Sequence, residues 1–343
     1  MATLTEAAFK WLRDHHGIIT IEQLARCGVS CHVRDQLIAS GFLVPVYRGV
    51  YRIATQPVTL ESRCVALSAF QPEGFVTGPT GGRMSGFRRM PKPEMITPAR
   101  QAPKDAPKDA VKGGSKKGPK IEPIEIIDYA VPHGGWLDLE GVRMRQSSII
   151  EPTDVQIRKD GLRLASPWRL GFDLAGDLPF DDFESVMEQI LAEGLCLPVT
   201  MARTAKRLAS PARRGSKAFV RALVNRIPGG PLESHAEVLV AKALAARGVP
   251  IVAQQTWLQL PNGRRARLDM SVPDVRWGVE VDVHPDHFLR QGTADRQRDR
   301  QCHQIGWAVE HATAVDLLDF DTLINDLVAG YHARVKEMTE RAS

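Results

Sequence analysis

The sequence predicts an α+β protein of more than one domain, on three observations. Short runs with helical spacing, opened by capping residues and closed by glycine, alternate with brief extended runs. A tract at 91–122, rich in Pro, Ala, Lys and Gly, divides the chain. Near the C-terminus, extended runs carry Asp269, then Glu280 and Asp282, where packing alone would favour apolar side chains. The 343 residues are enough for two or three domains.

Bulk composition narrows the class. With 43% hydrophobic and 25% charged residues the chain reads as an ordinary globular protein. No apolar run reaches the roughly 18 residues of a membrane span. Met1 to His16 reads as an amphipathic helix without a signal-peptide core, so a cytoplasmic location is expected and no membrane partner. Five scattered cysteines favour free thiols. Cys27, Cys31 and His32 have half the spacing of a metal site, but no second half follows. The net charge of +5 belongs to one stretch: residues 100–120 hold seven basic and two acidic side chains. Nucleic-acid binding must therefore be argued from local clusters.

Residues 3–16 form the first predicted helix, with Leu4, Ala8, Phe9 and Leu12 on its apolar side, and Gly17 ends it. Thr20 caps a second helix, Gln23 completes a capping box, and Leu24 faces inward. After Gly28, Ser30 caps a third helix with Val33, Leu37 and Ile38 apolar, and Gly41 closes it. Extended runs at 42–46 and 50–53 follow, joined by Tyr47-Arg48-Gly49. Helix, helix, turn, helix and hairpin over 1–56 is the order of a winged helix-turn-helix. Its recognition helix offers His32, Arg34 and Gln36, and its wing offers Tyr47, Arg48 and Arg52 to DNA. A protein-binding helical module has the same order of elements. Gly17-Ile18-Ile19-Thr20, Gly41-Phe42-Leu43 and Val46-Tyr47-Arg48-Gly49-Val50-Tyr51 resemble the N-terminal domain of the AbiEi antitoxins of type IV toxin–antitoxin systems. That resemblance implies operator binding and, as a second partner, a cognate toxin protein.

Residues 57–200 read as a middle domain. A helix is predicted at 59–70, and strands at 124–129 and 142–146. Thr77 to Phe87 is rich in glycine but lacks the Gly-Lys-Ser/Thr that a phosphate loop needs. The 91–122 tract reads as a surface loop, or as a basic arm adding phosphate affinity. Gly161 to Leu178 resembles the segment joining the two halves of AbiEi-like proteins, with Ser166 and Pro167 opening a helix. Helices follow near 180–193 and 198–208. Residues 201–230 form a basic connecting segment. Between Gly194 and Leu232 there is no acidic residue and eight basic ones, Arg213 and Arg214 among them. These side chains suit a phosphate backbone or a solvated helical face equally.

The last part, 231–343, reads αβββαβ. A helix at 232–247 carries Glu233 and Glu237, with Leu239, Ala243 and Leu244 inward. Strands at 250–260, 264–271 and 276–283 are separated by Pro261-Asn262-Gly263 and Pro273-Asp274. A helix over 291–305, a strand at Trp307–Glu310 and a last helix from 316 to 338 complete it. Alternation puts Glu280 and Asp282 on one face. Asp269 and Glu280 are the candidate ligands of Mg²⁺ or Mn²⁺, with Glu237 holding a bound water or a second metal. His287, with His284 as rival, is the candidate acid or base. Arg296 and Arg298 are candidates to grip phosphate. The set Asp295, Arg296, Arg298 and Asp299 also has the spacing of surface ion pairs along a helix.

The order is that of the PD-(D/E)XK nuclease core. Glu233-Ser234-x-x-Glu237, Arg267-x-Asp269, Val279-Glu280-Val281-Asp282, His287, Asp295-Arg296-x-Arg298-Asp299 and Gly306-Trp307 resemble very-short-patch-repair-like endonucleases over 231–320. Asp282 stands where the wider fold has lysine, and Val283 where the closer family has glycine. The resemblance implies a metal-dependent DNA endonuclease (a hydrolase) in defence or repair. The alternative is a non-enzymatic transcriptional regulator or antitoxin in which the same fold only binds.

Overall fold

The computed structural model describes residues 3–98, 122–135, 138–224, 226, 233–251, 253–283 and 293–342. His284, His287 and most of the 91–122 tract lie outside the described residues. The architecture is mixed α and β, in two compact units, Met1–Leu170 and Gly171–Ser343.

The first unit opens with α1 (Glu6–Asp14), β1 (Ile18–Thr20), α2 (Ile21–Arg26), α3 (Cys31–Ala39), β2 (Leu43–Tyr47) and β3 (Val50–Ile53). Each helix starts on a side-chain cap. The Thr5 hydroxyl accepts from the Ala8 N–H, Ser30 from Val33, and Thr20 and Gln23 make the reciprocal capping box. Leu4, Ala8, Leu12, Ile19, Leu24, Leu37, Leu43 and Ile53 make the core. Phe9, expected inward, is 48% exposed: the i, i+4, i+8 stripe from Leu4 passes beside it. The sheet order is β1-β3-β2. Strand β1 was not expected: the sequence gives no element to Ile18 and Ile19 between Gly17 and the Thr20 cap. Both faces of β1 are buried, so it shows no alternation to read.

A second cluster continues through Ile18 and Val50 into α4 (Leu60–Phe70) and the next sheet. That sheet has the order β8-β7-β4-β10-β9, formed by Phe75–Val76 (β4), Ile127–Pro132 (β7), Val142–Ser147 (β8), Val155–Ile157 (β9) and Arg163–Ala165 (β10). The glycine-rich run is a short helix, α5 (Gly78–Met84). Part of the expected loop is ordered: Met95–Ile96 (β5) pairs antiparallel with Ile124–Glu125 (β6). Helix α6 (Pro167–Leu174) follows. The Ser166 hydroxyl donates to the Thr153 carbonyl, 2.5 Å away.

The second unit adds α7 (Phe180–Ala192), α8 (Pro198–Leu208), α9 (Ser216–Val224) and α10 (Glu233–Ala246) before β11 (Ala253–Gln259), β12 (Arg265–Val272), β13 (Trp277–Asp282), α11 (Thr293–Gln304), β14 (Ala308–Thr313) and α12 (Phe320–Ala342). The sheet order is β11-β12-β13-β14, antiparallel except for the parallel β13–β14 pair. Parallel pairing needs a crossover, and α11 supplies it. Trp277 is fully buried and meets Tyr331 of α12 edge-on, with ring centroids 5.6 Å apart. On the other face Leu268, Ala266 and Leu258 pack with Cys302 of α11. Helix α10 turns Ala236, Val240 and Leu244 inward at i, i+4 spacing, so Leu239, expected inside, is 42% exposed.

Candidate active site

Asp269 and Glu280 sit on neighbouring strands, and each is 8% exposed. The last registered pair between β12 and β13 is Met270↔Val279. One further step brings Asp269 to the level of Glu280. The Asp269 carboxylate accepts from the Val281 N–H, with Oδ2 2.8 Å from N, and its Oδ1 lies 3.5 Å from Arg267 Nη2. The strand backbone thus fixes Asp269.

Glu280 lies beside α11. Its Oε2 is ion-paired with Arg298, and His311 Nδ1 lies 3.8 Å from the same oxygen. His311 is the registered partner of Glu280 on β14, and its Nε2 lies 3.2 Å from Asp299 Oδ1. The other Glu280 oxygen, Oε1, is buried with no hydrogen-bond donor among the described residues. Burial raises the Glu280 carboxyl above its ordinary value. Arg298 and His311 oppose that rise, while the negative charges of Asp269 and Asp299 add to it.

The other predicted residues lie further along β13, on α10 and on α11. Asp282 is half-buried at the end of β13, and Glu237 is half-buried on α10. Arg296 is exposed on α11. Arg298, expected to meet phosphate, contacts Glu280. Two of the α11 charges reach across to strands: Arg298 meets Glu280, and Asp299 meets His311. His311 lies inside the cluster although it belongs to no sequence motif, and parallel pairing of β13 with β14 was the signal that could have found it. The candidate acid or base His287 lies outside the described residues.

A divalent cation needs oxygen donors. Mg²⁺ is commonly held by one or two carboxylates with water and phosphate oxygens. Asp269 and Glu280 fit that donor set, and the donorless Oε1 of Glu280 has capacity for it. Among the described residues, no group of three or more His, Cys, Asp or Glu side chains is gathered as a metal site.

The predicted DNA contacts fare unevenly. On α3, Arg34 Nη2 lies 2.7 Å from its neighbour Asp35, and Gln36 meets His32 at 3.0 Å. At the hairpin, Arg48 is exposed. Tyr47, expected to face DNA, stacks on Phe70 of α4 with ring centroids 4.8 Å apart. Arg52 donates to the Ile53 and Gln56 carbonyls of its own turn. Many of the eight basic residues between Gly194 and Leu232 have partners inside the second unit. Arg203 binds Asp319, Lys206 binds Asp316, and Arg226 reaches Glu184 and Glu188. Arg213 donates to the Leu208 carbonyl and lies over Phe172, and Arg214 lies 4.0 Å from Asp177. That tract is largely a solvated, internally paired face.

No described helix is long and apolar enough to cross a membrane. Compared with known proteins, the chain matches no protein-family model and no curated protein.

Proposed function

We propose that this chain is a DNA-binding protein whose C-terminal part hydrolyses phosphodiester bonds with a divalent metal, in defence or repair. One observation carries the reading. Asp269 and Glu280 lie level on adjacent strands, and one Glu280 oxygen is buried with no donor among the described residues. Burying a carboxylate oxygen without a partner is costly unless something cationic completes it. A bound Mg²⁺ or Mn²⁺ would stabilise charge on the phosphate and ease deprotonation of an attacking water.

The chain's own residues define the rest. Asp269, oriented by the Val281 N–H, and Glu280 would hold the cation, with Glu237 as a further ligand through water. Arg267 and Arg296 would bind phosphate oxygens and align the strand. His287 would move the proton. The order α10-β11-β12-β13-α11-β14 supports the likeness to PD-(D/E)XK endonucleases of the very-short-patch-repair type. The α1-β1-α2-α3-β2-β3 order supports a winged helix that carries the chain to DNA, with Gln36 and Arg48 exposed for contact. Nicking of supercoiled plasmid in Mg²⁺ or Mn²⁺, compared between wild type, Asp269→Ala and Glu280→Ala, tests the reading.

A second reading has its own observation. Arg298 already neutralises Glu280. A guanidinium in the cation's place suits a fold kept for binding, as in a transcriptional regulator or antitoxin with a cognate toxin. A mobility shift on the DNA upstream of its own gene, without nicking, would favour it.

A further inference from the structure

The hairpin of β11 and β12 carries an outward face that folding does not require. Trp257 is 59% exposed there. In the ladder it stands opposite Arg267, and Gln259 stands opposite Arg265. These residues alternate with Leu258, Ala266 and Leu268, all buried, so Trp257, Gln259, Arg265 and Arg267 share the outer face. The Arg265 guanidinium lies over the Trp257 ring, 5.4 Å from its centroid. Arg264 is exposed at the turn. From Gly248 to Leu268 the sequence has no Asp or Glu. At its inner end the face reaches the candidate site, because Arg267 lies 3.5 Å from Asp269.

We infer that this hairpin is a stacking platform for single-stranded nucleic acid, Trp257 taking a base and Arg264, Arg265 and Arg267 the adjacent phosphates. An exposed tryptophan contributes little to a core, so its position is explained by what it meets. An aromatic plane between cations, on a hairpin whose sequence from Gly248 to Leu268 holds no acid and which meets Asp269 only at its inner end among the described residues, complements a partner that is flat, polarisable and anionic together. A nucleotide in a strand is such a partner. An acidic protein surface matches the charge but leaves the indole without a ring to stack on. A perfect duplex hides its base faces, so the platform selects unpaired bases. The inference rests on the nucleic-acid reading of the chain but not on hydrolysis.

The test uses the full chain in EDTA, so that no strand is cut. Anisotropy of fluorescein-labelled oligothymidine is compared with that of the same strand in duplex, with heparin as a polyanion control. Wild type binds the single strand more tightly than the duplex. Trp257→Ala weakens single-strand binding roughly tenfold, and Trp257→Phe keeps most of it, because phenylalanine still stacks. Arg265→Ala flattens the salt dependence. Single-strand binding by Trp257→Ala within about twofold of wild type, equal losses on heparin, or no wild-type binding each overturn the platform. Plasmid nicking in Mg²⁺ is scored separately. Binding lost in Trp257→Ala with no nicking by any form upholds the platform and removes hydrolysis. Nicking by wild type with Trp257→Ala binding unchanged removes the platform and leaves hydrolysis.

Discussion

Arg298 of α11 and Glu280 of β13 form an ion pair on the face of the C-terminal sheet, and it ties the helix to the strand that carries the candidate chemistry. The second Glu280 oxygen has no donor among the described residues. The arrangement is thus half complete among the described residues: one oxygen is matched by a guanidinium and the other by no donor.

Removing the guanidinium should expose that imbalance. Arg298→Ala leaves Glu280 buried beside Asp269 and Asp299, and we expect a loss of about 1–3 kcal/mol at neutral pH. The sign with pH follows from the raised Glu280 carboxyl. A raised acid binds more protons folded than unfolded, so stability falls as pH rises from the ordinary carboxylate value through the raised one. The deficit should therefore shrink below that window. Mn²⁺ should restore the variant's melting temperature if a cation can take the place of Arg298. Thermal melts across pH, with EDTA or Mn²⁺, read both effects.

Asp319 gives the opposite sign. Arg203 donates to it through Nε at 2.7 Å and Nη2 at 3.2 Å, and this hydrogen bonding holds its carboxyl below the ordinary value. A lowered acid contributes stability above the ordinary carboxylate value and loses it as pH falls through the folded value. Arg203 is 63% exposed, which discounts the pair. Asp319→Asn should cost about 1 kcal/mol at neutral pH. Its melting curve should converge with that of wild type in acid.

In the first unit, Arg169 and Asp154 are both buried, with Nη1 3.1 Å from Oδ2. Arg169 also donates to the Ile149 carbonyl and the Ser147 hydroxyl, and its guanidinium lies over Phe75. Arg169→Met strands a buried carboxylate and should cost about 3–5 kcal/mol. Adding Asp154→Asn should recover part of that loss, because the uncompensated charge is gone. Urea titration of the three forms measures it.

The capping box makes a cleaner local test. Thr20→Ala removes the acceptor of the Gln23 N–H. We expect a loss of about 1 kcal/mol, and Thr20→Ser should keep most of the stability.

Local chemistry was legible in the sequence, and long-range partnership was not. Thr20 and Gln23 announce their helix because both halves of the box lie within one turn. Asp269 and Glu280 were legible as strand carboxylates out of keeping with packing. Their guanidinium partner was not: Arg298 follows Glu280 by 18 residues, and only the seating of α11 on the sheet joins them. Tyr47 read as a wing residue because nothing near it in sequence reveals Phe70. Leu239 and Phe9 read as core because apolar identity does not say which of two adjacent helical positions faces inward.

The most direct measurement is the initial rate at which purified protein nicks supercoiled plasmid in Mg²⁺, set beside matched preparations of Asp269→Asn and Glu280→Gln. Both variants keep side-chain shape and lose a negative charge, and each should nick at a rate at least about 100-fold below wild type, as loss of a metal-held nucleophile requires. Equal rates in all three forms would contradict that expectation, and so would a wild type that binds DNA but leaves it intact.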